Sequence, residues 1–259
     1  MYDFFVVLLN NLWDLRSAVF VGVSLVAIGL TCSSKDTGLM LVADLAYPIG
    51  LIGLVIGLVG ILQNISEYQA LPMALAVAHL PLIYVAIVHG VVWRGKPANN
   101  QVQNSNFRKV AGTTIFLVMT LWAAHASSTL AVFFLIDALA FIFVGILGLI
   151  FTDRLLKKQD VVGWTHRLLG IAFICFLCGL IGMLANLDER RAIGPAAALA
   201  LLGLFYCLVL LVIGRIWFPQ KMLDATGSNG TGILKLVLPV LFGIVALIGL
   251  LTSTTFYDY

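Results

Sequence analysis

Charge is scarce in this chain. Fifteen Lys or Arg and twelve Asp or Glu residues are all that 259 residues carry, about a tenth. A soluble domain of this size carries about a quarter. That shortage excludes a soluble enzyme, a disordered chain and a nucleic-acid binder, each of which needs charge to solvate a surface or to meet phosphates. Histidine and cysteine are scarce too, with four of each. No metal-spaced cluster, Ser-His-Asp set, paired catalytic carboxylates or phosphate loop can be assembled from the residues present, so neither catalysis nor a cofactor is expected. No small-residue cleavage site follows the first apolar run, so no cleavable signal peptide is expected either.

Apolar residues fill the space that charge leaves, at 61% of the chain, with a mean hydropathy of +1.07. The apolar runs are too long for core strands and suit membrane-spanning helices of about 20 residues. The expected fold is therefore all-α, a polytopic membrane bundle of about eight helices. The spans fall near residues 5–31, 43–63, 71–93, 110–126, 129–152, 163–186, 193–218 and 232–252. Ser127 and Ser128 alone separate the fourth from the fifth. The first run is the least regular, since Asp14 and Arg16 interrupt it and its outer half suits a surface helix equally well. Cys32, Cys175, Cys178 and Cys207 lie in or beside these runs. Cys175 and Cys178 share a face at i, i+3, and the four are expected as small packing residues.

Loop charge orients the bundle. One set of loops holds eleven basic residues, among them Lys35, Arg108, Lys109, Arg167 and Arg215; the opposite set holds only Arg190 and Arg191. By the positive-inside rule the first set is cytoplasmic, and both termini lie outside a bacterial inner membrane. Trp13, Trp93, Trp122, Trp164 and Trp217 fall near expected helix ends, as an aromatic belt would.

The chain also repeats itself. Residues 57–84 laid over 179–206, an offset of 122, agree at thirteen of 28 positions without a gap. The matches include Gly57 with Gly179, Gly60 with Gly182, Asn64 with Asn186, Glu67 with Glu189 and Tyr84 with Tyr206. Asp14 matches Asp137 at an offset of 123. The expected organisation is two four-helix units, 1–126 and 127–259, inserted in the same orientation as a parallel repeat.

Within the second span Gly50, Gly53, Gly57 and Gly60 recur at helical spacing, and Ala74, Ala76 and Ala78 give the third span a small face. Small stripes let helices approach closely. They serve either packing inside the chain or a helix from another chain.

Pro48 through Gly60, then Leu62-Gln63-Asn64, a short acidic turn and Ala74 to Ala78 resemble the pore-lining helix pair of flagellar stator A-subunits (MotA and PomA) and the wider ExbB and TolQ proton-channel family. The second copy, Ala185-Asn186-Leu187-Asp188-Glu189 followed by Ala192 to Ala198, is closer at the turn. The resemblance covers about 45–93 and 166–218. It implies a homo-oligomeric ring of such subunits around the single helices of a B-type partner that carries the ion-accepting Asp. It places Pro48, Gly50, Gly53, Gly57, Gly60, Asn64, Ala74, Ala78, Gly179, Gly182 and Asn186 toward a pore or partner. Pro48 matches the proline at the base of the family's third helix, where the second copy has Gly170. The first copy is therefore expected to line the central space and the second to sit outside it. Two departures point away from a torque generator. The family's fourth helix has Thr hydroxyls where this chain has Pro81, Leu82 and Gly203, Leu204, and the large cytoplasmic domain is missing.

Three titratable residues are expected at one depth inside the membrane: Asp14, His79 and Asp137. Charge at that depth is expensive. These residues suit a proton relay or ion-entry site, or a structural hydrogen bond between the units. His89 and His166 lie near cytoplasmic helix ends, as interfacial histidines do. The functional expectation is a channel-like subunit of an ion-motive-force-driven complex in contact with lipid. A secondary transporter with parallel repeats and a non-catalytic structural subunit are the alternatives.

Overall fold

The computed structural model describes residues 14–63, 71–92, 105–127, 161–185 and 190–218. The described residues form six helices: α1 (Leu15–Thr31), α2 (Lys35–Gln63), α3 (Leu71–Val92), α4 (Asn106–Ser127), α5 (Val161–Ala185) and α6 (Arg190–Trp217). The spans expected at 129–152 and 232–252 lie outside the described residues, as do Asn64, Asp137 and Asn186. Four helices hold stretches long and apolar enough to cross a bilayer: Lys35–Leu62, Met73–Val92, Asn106–Ser127 and Ala200–Trp217. The described residues are all-helical, and these apolar helices mark a membrane protein.

α1 is shorter than its apolar run. Asp14 ends it in an extended conformation, with its carboxylate accepting from the Ser17 backbone N–H at 2.9 Å. A short polar side chain satisfies an otherwise orphan helix-end donor in this way. Asp14 and Arg16 therefore sit at a helix end and not midway along a span begun at Phe5. The 17 residues of α1 extend about 26 Å at ~1.5 Å per residue, just short of the bilayer's ~30 Å hydrocarbon layer.

α2 is longer than expected. It starts at Lys35 instead of residue 43, because Ser33 and Ser34 suffice to reverse the chain after α1 and Asp36 complements the positive end of the new helix. The reversal brings α1 and α2 so close that a Cβ on Gly38 would lie 2.8 Å from the Gly29 carbonyl oxygen. One consequence is that Pro48 lies well inside α2 and not at its base.

The core is built on α2 and α6. Their apolar windows are 83% and 78% buried, against 22% for α3 and for α4. α3 covers one side of α2, α5 covers α6, and α1 bridges α2 and α4. α3 and α4 expose Val77, Ile83, Ile87, Val118 and Leu121, side chains suited to lipid. Two buried hydroxyls serve their own helices: Thr31 donates to the Ile28 carbonyl and Thr120 to the Phe116 carbonyl. That is the cheapest partner where water is absent.

Candidate functional site: a cavity at one end of the bundle and a buried ion pair at the other

The glycine stripe of α2 meets α3 of the same chain. A methyl placed on Gly57 would lie 2.7 Å from the Ala78 Cβ, and one on Gly53 would lie 2.7 Å from the Pro81 Cβ and 3.2 Å from the Phe20 ring. Gly50 faces Leu82 and Val85, while Gly60 faces the Ser127 carbonyl at the end of α4. The second hairpin is built alike. Gly179 faces the Ala200 backbone, and Cys175 and Gly203 face each other. At these positions the stripe serves packing within the chain. Gly182 is half-buried.

The stripe does not close completely. Between the start of α1, the glycine face of α2, the Ala74–Pro81 segment of α3 and the end of α4 lies a cavity of about 490 Å³. Asp14, Arg16 and Ser17 stand at its polar side. Gly53, Gly57 and Gly60 form one wall, and Ala74, Ala78 and Ala123 others. Among the described residues α3 and α4 make little contact with each other, and Val77 and Trp122, which line the cavity from these two helices, are half-exposed. Pro81 has no N–H, so the Val77 carbonyl one turn before it lacks its helical donor.

The polar side is anchored. The Asp14 backbone N–H donates to the Tyr84 hydroxyl at 3.1 Å, and Arg16 Nη1 donates to the Ala126 carbonyl at 3.3 Å. Asp14, one of the three titratable residues expected in one layer, lines this cavity, and Asp137 lies outside the described residues. His79 is half-exposed on α3, and its Nδ1 donates to the Leu75 carbonyl of its own helix at 2.7 Å. The carbonyl only accepts, so Nδ1 carries the proton.

A second polar feature lies at the opposite end. Asp44 of α2 and Arg215 of α6 form an ion pair, with side chains only 11% and 5% exposed. Arg215 Nε, also buried, has no hydrogen-bond partner among the described residues. Nearby on α2, the Ala43 carbonyl accepts from His89 Nδ1 at 2.9 Å, and Tyr47 stacks at a tilt on the same imidazole, 4.8 Å between centroids. Sequence alone does not single out Asp44, because a span begun at residue 43 puts it at the surface, and Arg215 falls among the loop cations. The available signal was Asp44's place ahead of Pro48 inside one unbroken apolar run. Starting the helix at Lys35 moves the carboxylate inside.

Two basic residues of α4 cap helix ends at that same end of the bundle. Arg108 donates to the Cys32 carbonyl at 3.4 Å and Lys109 Nζ to the Trp217 carbonyl at 3.2 Å. Two sequence expectations change. Trp164 is buried against Gly214 in place of facing an interface, because a glycine on α6 leaves room for an indole. Cys175 and Cys178 do not share an environment: Cys175 is buried against Gly203, whereas Cys178 is exposed. Three residues turn a helix by about 300°, which leaves the two 60° apart across the edge of the buried face.

Comparison with known proteins gives no matching family model, no matching curated protein and no matching solved structure.

Proposed function

We propose that the chain is a duplicated, non-catalytic, channel-like subunit of an ion-motive-force-driven complex in a bacterial inner membrane. It has eight spans in two parallel four-helix units, 1–126 and 127–259, with both termini outside. One observation carries the duplication. The contact of Gly57 with Ala78 recurs as Gly179 with Ala200, and that of Gly53 with Pro81 recurs as Cys175 with Gly203. Both partners in each contact are displaced by 122 residues, the offset of the sequence repeat. In the second contact the small residue has changed sides, so the spacing is kept while its chemical origin differs. The likeness of both hairpins to stator A-subunits supports the channel-like part of the reading. Under it, a homo-oligomeric ring encloses a single-helix partner that carries a membrane Asp, with Asp14, His79 and Asp137 as relay candidates.

The intramolecular closure of Gly50, Gly53, Gly57 and Gly179 favours a second reading, a structural subunit that keeps the hairpins without conducting. Purification of the tagged chain from its native membrane separates the two. Co-purification of a single-span protein with a membrane Asp, in a ring visible by electron microscopy, is the expected result. Proton flux in liposomes that is abolished in Asp137→Asn supports conduction; a ring with no flux leaves the structural reading. A monodisperse monomer without a partner would overturn both.

A further inference from the structure

We propose that the cavity beside α1 holds one zwitterionic phospholipid of the surrounding bilayer, its headgroup between Asp14 and Arg16 and one acyl tail along the Gly53–Gly57–Gly60 face. This rests on the membrane architecture alone and not on the channel reading.

The cavity of about 490 Å³ is lined mostly by apolar residues, and a flexible acyl chain can enter it without the fixed diameter of about 10 Å that a helix brings. The walls suit such a chain: glycine and alanine on α2, α3 and α4, with Ile56, Ile61 and Phe20 behind them. The route in runs between α3 and α4, past half-exposed Val77 and Trp122.

The polar side selects the headgroup. Asp14 and Arg16 carry opposite charges on successive positions of the cavity rim. One Asp14 oxygen accepts from Ser17 N–H, and one Arg16 nitrogen donates to Ala126 O. Each side chain keeps further hydrogen-bonding capacity, since a carboxylate accepts at both oxygens and a guanidinium has five N–H donors. Arg16 is suited to the lipid phosphate. Asp14 is suited to an ammonium. An anionic lipid satisfies Arg16 but leaves Asp14 facing like charge, so phosphatidylethanolamine is favoured over phosphatidylglycerol.

The test is native mass spectrometry of the full chain released from nanodiscs of either lipid. The wild type is expected to retain one phosphatidylethanolamine and to retain phosphatidylglycerol less. Ala123→Phe and Ala74→Phe fill the cavity from different walls, and each should abolish the adduct. Arg16→Gln should lower its occupancy about tenfold, the loss of one charge-assisted hydrogen bond. Gly90→Ala, on a part of α3 with nothing within 4 Å, should leave it intact. Gel filtration and circular dichroism identify the variants that fold, and one folded cavity-filling variant is enough. No adduct on the wild type overturns the proposal, as would happen if part of this chain filled the space. Equal retention of the two lipids, or an adduct unchanged in a folded cavity-filling variant, overturns it too.

Discussion

Gly57 and Ala78 show how little room a helix contact in a bilayer leaves. Lipid tails are as apolar as leucine, so helices gain little from merely hiding apolar surface and depend on close packing. With a methyl on Gly57 already 2.7 Å from the Ala78 Cβ, Gly57→Ala must push α3 away or strain it. The expected cost is about 1–3 kcal/mol, the usual range for overpacking, measured by unfolding in mixed micelles. Gly57→Ala combined with Ala78→Gly should recover most of the loss, because the methyl only changes sides. Gly53 with Pro81 and Cys175 with Gly203 already show that exchange within this one chain. Gly90→Ala and Gly170→Ala, where nothing lies within 4 Å, should be neutral. Equal costs at Gly57 and Gly90 would mean that the loss does not come from the close contact with Ala78, since helix propensity by itself favours alanine over glycine. At this scale the sequence displayed the small residues but not their partner. Spacing shows that Gly50, Gly53 and Gly57 share a face; only the placement of α3 shows what that face meets.

α2 and α6 are joined by apolar packing and by one ion pair. Asp44 and Arg215 come from different expected repeat units, and their repeat mates are His166 and Trp93. Under the proposed two-unit organisation the pair lies at the joint between the units and has no counterpart at the repeat positions. Removing one member of a buried pair leaves an uncompensated charge and costs about 3–5 kcal/mol, whereas replacing both with apolar residues is often neutral or better. Asp44→Leu and Arg215→Leu should each lower folded yield and thermal stability sharply. The double variant should approach the wild type, and the measured coupling should be large. If the double variant is as damaged as the sum of the singles, the charges act independently and do not hold α2 against α6. Helix existence was readable at this scale, since all six described helices fall on expected spans. The starts were not: Asp14 capping α1 and the Ser33–Ser34 reversal before α2 are local polar interactions that an apolar run does not reveal.

At the scale of the molecule, most of the basic residues placed so far lie at one end of the described bundle. Lys35, Arg108, Lys109 and Arg215 lie toward that side, and Asp14 and Arg16 stand at the other end of α1 with Ala126 and Ser127. Arg16 thereby joins Arg190 and Arg191 as the third basic residue on the side expected to be outside, and the bias still favours the first set. Cysteine labelling in intact cells checks this on a Cys178→Ser background, Cys178 being the exposed native thiol among the described residues. Leu15→Cys, at an exposed position, should react with an impermeant maleimide added from outside. Ser105→Cys, exposed just before α4, should react only after permeabilisation. The reverse pattern would invert the orientation.

The sequence alone determined that this is a helical membrane protein, because long runs almost free of charge admit no other spanning structure for a chain of this hydropathy. It also showed, through the offset of 122 residues, that the two hairpins carry small residues at matching positions, so that a register open to one is open to the other. Only the tertiary structure decided what each polar residue does. Asp14 caps a helix at the rim of a cavity, His79 bonds to its own backbone, and Asp44 finds Arg215 across 171 residues of chain. In a bilayer each such group must find a partner, and that partner is chosen by which helices lie side by side. Helix contacts between distant segments depend on side-chain fit at every level of the membrane, and no local period records them.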